Sequence, residues 1–218
     1  MITPLQSAQL SAEIYACVPG DWDHWWEHDG VICAHRIITG QDTLTFMGSK
    51  LAIDFVRDAE SWPAWDNELG FCHYGFVDEI DDVLAEVMPH ITRPLVIQGH
   101  SLGGSRARIA AAKLAYRGKP AARVCVFGSP KPGFANVARV LQKSNTEHAS
   151  YRNRCDVVPL LPGVLPFWSH TESWLSLDAA PAVSDLEPLR DHSISLYVQG
   201  LQVGPVPIGP KLEAGEQQ

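Results

Sequence analysis

No CxxC pair occurs in the 218 residues, and the five cysteines, Cys17, Cys33, Cys72, Cys125 and Cys155, are odd in number and far apart. Such spacing implies neither a zinc site nor a disulfide framework, and a reducing compartment is the simplest setting for it. No stretch approaches the roughly 20 consecutive apolar residues of a membrane span. Met1 to Gly20 also lacks the basic segment and continuous apolar run of a cleavable signal. The expectation is a soluble chain, cytoplasmic or released without a cleavable signal peptide, with no transmembrane segment. Basic residues are in deficit, 17 Lys and Arg against 25 Asp and Glu, for a formal net charge of −8. That balance excludes nucleic acid or an anionic membrane surface as the main partner. No internal repeat is present.

What the chain does contain is ordinary globular composition, 45% hydrophobic and 19% charged residues, and its length suits one domain. Residues 1–202 read as that domain, and the Gly- and Pro-rich stretch 203–218 as a disordered tail free of chemistry. Gln6 to Cys17 spaces Leu10, Ile14 and Cys17 as an amphipathic helix ended by Pro19-Gly20. Val31 to Ile38 and Thr43 to Met47 read as strands joined by the hairpin signal Thr39-Gly40-Gln41-Asp42. Phe76 to Met88 reads as one acidic surface helix ended near Pro89. Pro94 to Gln98 and Arg123 to Phe127 are apolar runs of buried-strand type, with Ala-rich, helix-favouring Ser105 to Arg117 between them. A helix over Phe134 to Lys143, a strand over Ala149 to Arg152 and a loop over Asp156 to Pro166 follow. Strand and helix alternate, so the fold class is α/β with a mainly parallel central sheet flanked by helices.

Gly99-His100-Ser101-Leu102-Gly103 fits G-x-S-x-G in the context that motif requires, an apolar strand before it and a helix-forming segment after it. The glycines permit a sharp strand-to-helix turn that projects the serine hydroxyl at the strand's carboxyl end, beside a helix N-terminus. A serine hydroxyl is a weak nucleophile and needs a base, which in turn needs an orienting carboxylate. Downstream carboxylates include Glu147, Asp156, Glu172, Asp178, Asp185, Glu187 and Asp191, and downstream histidines are His148, His170 and His192. Spacing alone leaves the choice open. Asp156 follows a β-like run, at a strand end where α/β enzymes gather functional groups, and His192 lies late, ahead of the apolar run Ile194 to Val198.

Four ordered motifs, Gly99 to Gly104, Phe127-Gly128-Ser129-Pro130-Lys131-Pro132-Gly133, Asn153 to Pro162 and Asp191-His192, resemble the signatures of class 3 (fungal-type) lipases, over about Leu10 to Tyr197. The resemblance implies the α/β-hydrolase fold and a serine carboxyl-ester hydrolase working through an acyl-enzyme. It implies Ser101 as nucleophile, Asp156 as orienting carboxylate and His192 as general base, with His170 as second choice for the base. Phe46-Met47-Gly48-Ser49 looks like the family's oxyanion-loop motif, which implies Ser49 and the Leu102 amide as oxyanion donors. Asp58, His73 and His100 fall at positions implying support of the site or a pocket wall. No metal and no organic cofactor is implied; the partner is an ester or lipid substrate, with transient contact at a lipid interface. Oligomeric state is not readable.

Lys50 to Phe71 corresponds to the family's lid region, and its Trp62-Pro63-Ala64-Trp65 suits either a mobile cover or permanent packing. Trp22, Trp25 and Trp26, together with Phe167 and Trp168, are further candidates to rim an acyl pocket. Met47 stands where the family places arginine, which implies repacking. Arg106 and Arg108 stand where it places small or apolar residues, and since a buried arginine needs a carboxylate, Arg106 implies an internal partner or a subunit contact. Phospholipase A1-type activity and a non-catalytic lipase-like binding module are the alternatives, the second opposed by the complete Ser-Asp-His set.

Overall fold

The computed structural model describes residues 1–49, 63–162, 167–179 and 190–204. The first helix, α1 (Pro4–Glu13), opens on a capping box: Thr3 and Gln6 each accept the other's backbone N–H, and proline fills the first position. Strands β1 (His24–His28), β2 (Val31–Ile38) and β3 (Gln41–Phe46) then form an antiparallel meander. The expected four-residue link between β2 and β3 is a two-residue turn, Thr39-Gly40, both with positive φ (49° and 76°). That left-handed pair matches the twist of the flanking strands and lets β3 begin at Gln41.

Beyond the hairpin β4 (Pro63–Asp66) and β5 (Gly70–His73), the expected single acidic helix is two, α2 (Tyr74–Val77) and α3 (Ile80–Val87). Asp78 is extended and Glu79 left-handed (φ 60°). The break has a packing cause, since α2 lies on β4 and β5 while α3 lies on β2, directions one straight helix cannot serve. Then come β6 (Leu95–His100), α4 (Leu102–Tyr116), β7 (Arg123–Phe127), β8 (Gly133–Phe134), α5 (Ala135–Lys143) and β9 (Glu147–Asn153). The chain continues through β10 (Trp168–Ser169) and β11 (Leu175–Leu177) to α6 (Ile194–Val203), so the apolar run after His192 is helical and Val203 ends a helix. Residues 205–218, the expected tail, lie outside the described residues.

The main sheet has the order β1-β2-β3-β6-β7-β9-β11, and β3, β6, β7, β9 and β11 run parallel, as the alternation of strand and helix implied. Helices α1 and α6 cover one face and α3 and α4 the other. The larger apolar cluster joins Leu44, Phe46 and Ile97 of the sheet to Ile80, Leu84, Ile109 and Leu114 of the helices. A second, antiparallel sheet, β10-β8-β5-β4, stands beside it.

Lys113, without any mark in the sequence pattern, is 1% exposed inside α4. Its ammonium donates to Asp66 at 2.5 Å and Asp81 at 2.9 Å. Burial works against its charge, but the two carboxylates outweigh it and hold its pKa above the ordinary lysine value. Asp66 also accepts the Glu68 and Leu69 amides, so the β4–β5 hairpin is tied to the body. The part of the expected lid region that is described, residues 63–71, is therefore an anchored hairpin; residues 50–62 lie outside the described residues. All five cysteines are unpaired, and no described helix is long and apolar enough to cross a membrane.

Candidate active site

The elbow follows from close packing. A Cβ on Gly99 would lie 2.3 Å from the Gly103 carbonyl oxygen, and one on Gly103 would lie 2.2 Å from that of Phe46. Only glycine lets α4 start so near β6 and β3. Ser101, between strand and helix, takes φ 58° and ψ −130°, a conformation a side chain adopts at a cost on the order of 1–3 kcal/mol. Its amide is held by the Phe127 carbonyl at 2.9 Å.

Ser101 Oγ lies 2.8 Å from His192 Nε2, and His192 Nδ1 lies 2.8 Å from Asp156 Oδ2. Because a carboxylate only accepts, Nδ1 carries the proton and Nε2 is left to accept the serine hydroxyl. The three side chains are 1%, 2% and 0% exposed, so few competing waters reach these bonds. Asp156 is fixed from both oxygens: the Val158 amide donates to Oδ1 at 2.9 Å and the Tyr197 hydroxyl to Oδ2 at 2.5 Å. Burial, and then the charge of Asp156, push the Tyr197 pKa up, so it stays a proton donor. The end of β9 also secures the residue before the base, since Asn153 Nδ2 and the Cys155 amide both donate to Asp191. Aspartate and histidine thus hang from one strand end.

His100 backs His192. Its Nε2 donates to the His192 carbonyl at 2.7 Å, which leaves Nδ1 to accept the Tyr15 hydroxyl at 2.9 Å. Burial, then the neighbouring His192, hold its pKa well below the ordinary histidine value, and the hydrogen bond to that carbonyl opposes them only in part. The loop after β3 presses on the nucleophile: a Cβ on Gly48 would lie 2.5 Å from the His100 oxygen and 3.2 Å from Ser101 Cβ. Ser49 follows directly. Leu102 opens α4, where the first backbone N–H groups have no intrahelical acceptor. Ser49 is thus one residue from the point where the loop meets the elbow, and Leu102 directly follows Ser101.

Other expected contributors lie elsewhere. Asp58 is outside the described residues, as is Trp62. His73 packs its ring against Phe76 (centroids 3.9 Å) and Trp168 (5.7 Å), and neither of its nitrogens has a partner. Burial lowers its pKa to about 4. A folded value below the unfolded one near 6.5 means stability present above pH 6.5 is lost as pH falls towards 4, on the order of 3 kcal/mol. We expect His73→Phe to flatten that acid slope, read as urea midpoints at pH 7 and 4.5; an unchanged slope would mean that His73 does not cause it. His170 donates to the Pro159 carbonyl, and burial, then Arg108, lower its pKa to about 3, so it is a packed residue and not the base.

Trp22 packs with Leu10, Ile14 and Met47, under the Arg36 guanidinium at 4.3 Å. Trp25 joins that cluster, and Trp26 turns to the opposite face. Trp65 meets Phe71, and Phe167 and Trp168 meet Phe134 on the second sheet. Among the described residues the Trp22 cluster, through Tyr15, reaches the His100 ring at 5.9 Å, and that ring lies 4.5 Å from the His192 ring. Met47 is buried beside Cys17, the repacking its identity implied. Arg108 has its carboxylate, Glu172, at 2.6 Å. Arg106, by contrast, reaches among the described residues only the Gly30 and Gly75 carbonyls, at 3.2 and 3.5 Å, and burial lowers its pKa to about 10. Of possible cation ligands, His28, Asp29 and Glu79 place three atoms within 4.8 Å of one another at the β1–β2 turn, with no triad residue among them.

A family model described as Lipase (class 3) matches residues 34–165. Secreted mono- and diacylglycerol lipase 1 of Fusarium solani is 33% identical over 124 residues, 52% of this chain and 36% of that protein. Secreted mono- and diacylglycerol lipase A of Penicillium cyclopium is 30% identical over 116 residues, 49% and 37% of the two. The match thus spans little more than a third of these relatives. Among solved structures, the native Rhizomucor miehei lipase propeptide complex superposes with a TM-score of 0.69 at 21% identity, covering 90% of this chain and 77% of that one. A lipase from Rhizopus microsporus var. chinensis gives 0.70 at 18% identity, covering 81% and 74%. At such identities the likeness shows the fold alone, the α/β-hydrolase fold.

Proposed function

The chain belongs to the class 3 lipase family, and from that premise we propose that it is a serine carboxyl-ester hydrolase acting through an acyl-enzyme on Ser101. The observation that carries this reading is the buried relay from Ser101 Oγ through His192 to Asp156, two contacts of 2.8 Å. His192 Nε2 takes the hydroxyl proton as Ser101 Oγ bonds to the ester carbonyl carbon. The imidazolium so formed is paired with Asp156 through Nδ1–H. Negative charge gathers on the former carbonyl oxygen, where the Leu102 amide and Ser49 stabilise it. The carbon–oxygen bond to the alcohol then breaks, and His192 returns the proton to the leaving oxygen. Water repeats the sequence on the acyl-serine: His192 accepts its proton, the acid departs and Ser101 regains its hydrogen.

Monoacyl esters are the favoured substrates in this proposal, for two reasons. The two curated relatives are named mono- and diacylglycerol lipases. The net charge of −8 also disfavours tight adsorption on an anionic lipid surface. The test is a series of p-nitrophenyl esters from acetate to palmitate, with and without micelles, beside monoacylglycerol and phosphatidylcholine. We expect a pre-steady-state burst of about one p-nitrophenol per chain on the preferred ester, as an accumulating acyl-enzyme requires, and faster release of acid from monoacylglycerol than from the phospholipid. Faster turnover of the phospholipid would move the substrate to the phospholipase class. No turnover of any ester would overturn the reading.

A further inference from the structure

Ser105 and Arg108, three residues apart in the first two turns of α4, share one stripe of that helix just after Ser101. The stripe faces the turn after β7. Arg108, fully buried, donates to Ser129 Oγ at 3.1 Å, to the Pro130 carbonyl at 3.4 Å and to Ser150 Oγ of β9 at 2.8 Å. Its charge is met by Glu172 at 2.6 Å, and Ser105 Oγ donates to the same Pro130 carbonyl at 2.8 Å. One residue before Ser129, Gly128 has φ 57° and lies directly under the relay. A Cβ there would be 2.7 Å from Asp156 Oδ2 and 2.9 Å from His192 Nδ1. The floor of the histidine–aspartate pair is therefore continuous with the turn that the guanidinium grips.

A buried guanidinium is expensive to desolvate, and apolar groups of the same volume often match or exceed the stability of such an ion pair. Arg108 sits between the turn, strand β9 and the segment after β10, and it reaches all three because its fork has several fixed donors. We infer that Arg108, clamped by Glu172, is a positioning residue that holds the Gly128–Pro130 turn beneath Asp156 and His192 and so keeps the base in line with Ser101. This rests on the hydrolase reading above. The clamp does not touch substrate, so its loss acts on the rate of chemistry and not on binding.

The decisive variant is Arg108→Met combined with Glu172→Leu, which removes both charges and leaves neither stranded in the interior. Arg108→Lys is its companion, because an ammonium still pairs with Glu172 but cannot grip the turn and β9 together. We expect the double variant to melt close to the parent while kcat on p-nitrophenyl butyrate falls about 10- to 100-fold with KM changed less than about twofold, the cost of a displaced base. Arg108→Lys should recover part of the loss. A second readout is independent of turnover: the low-field proton resonance of His192 Nδ1–H on Asp156 should be present in the parent and broadened in the double variant. Parental kcat with an undisturbed resonance in the double variant would overturn the inference, and so would loss of the fold in both variants. If the parent cleaves no ester yet its resonance is lost with the clamp, the clamp stands and the hydrolase reading falls.

Discussion

Alanine at position 101 should lower ester turnover by about 10⁶ in kcat, the scale on which removal of the nucleophile of a serine triad acts. The expectation follows from the relay: without Oγ, His192 has no hydroxyl to deprotonate, and only water activated by the base and whatever the oxyanion donors contribute remain. Residual catalysis of roughly 10³ to 10⁴ over water is consistent with those donors acting alone. The fold should survive. Ser101 already occupies positive φ, and Ser101→Gly, which relieves that conformation, should be as inactive as Ser101→Ala and no less stable. Initial rates on one p-nitrophenyl ester with thermal melts of the three proteins check the point, and a rate for Ser101→Ala within tenfold of the parent would refute it.

The second large effect is expected at Asp156. Asparagine fits the same space, and its one carbonyl oxygen can still accept the Val158 amide, with the NH2 group in the place of Oδ2, where the Tyr197 hydroxyl must turn to accept. Its amide, however, can donate where the carboxylate could only accept. That stabilises the His192 tautomer with the proton on Nε2, facing Ser101, and removes the charge that balances the imidazolium. A loss of about 10⁴ in kcat follows, with little change in KM. Asp156 is 0% exposed, and among the described residues no other carboxylate oxygen approaches His192 Nδ1 within ion-pair range. If Asp156→Asn keeps more than a tenth of parental kcat, the aspartate does not orient the base.

Much of this was legible in the sequence because the responsible residues act locally. The elbow glycines, the apolar run that becomes β6 and the proline and glycine breaks dictate backbone geometry within a few positions, and the parallel sheet follows from their alternation. Choosing Asp156 and His192 among the downstream carboxylates and three histidines needed the family resemblance, because their meeting depends on the segments after β9 and before α6 arriving at one end of the sheet. Interactions of long sequence separation were hidden for the same reason. Lys113 and Asp66 are 47 residues apart, and Arg108 and Glu172 are 64 apart. Nothing in an Ala-rich helix indicates that its lysine is interior. The division of the acidic helix at Glu79 was likewise set by what α2 and α3 pack against. His73, Trp22 and Trp168 drew attention as aromatic and polar groups, and the second sheet and the α1 face bury them as packing, while Trp65 and Phe167 stay exposed.

Reaction with an alkyl fluorophosphonate, followed by proteolysis and mass spectrometry, tests the central claim most directly, because it reports an activated serine without presuming a substrate. The account predicts one adduct per chain, on the peptide bearing Ser101, formed with loss of esterase activity at the same rate and absent from Ser101→Ala and much slower in Asp156→Asn. An unlabelled protein, or an adduct on another serine such as Ser49 with Ser101 untouched, would contradict it.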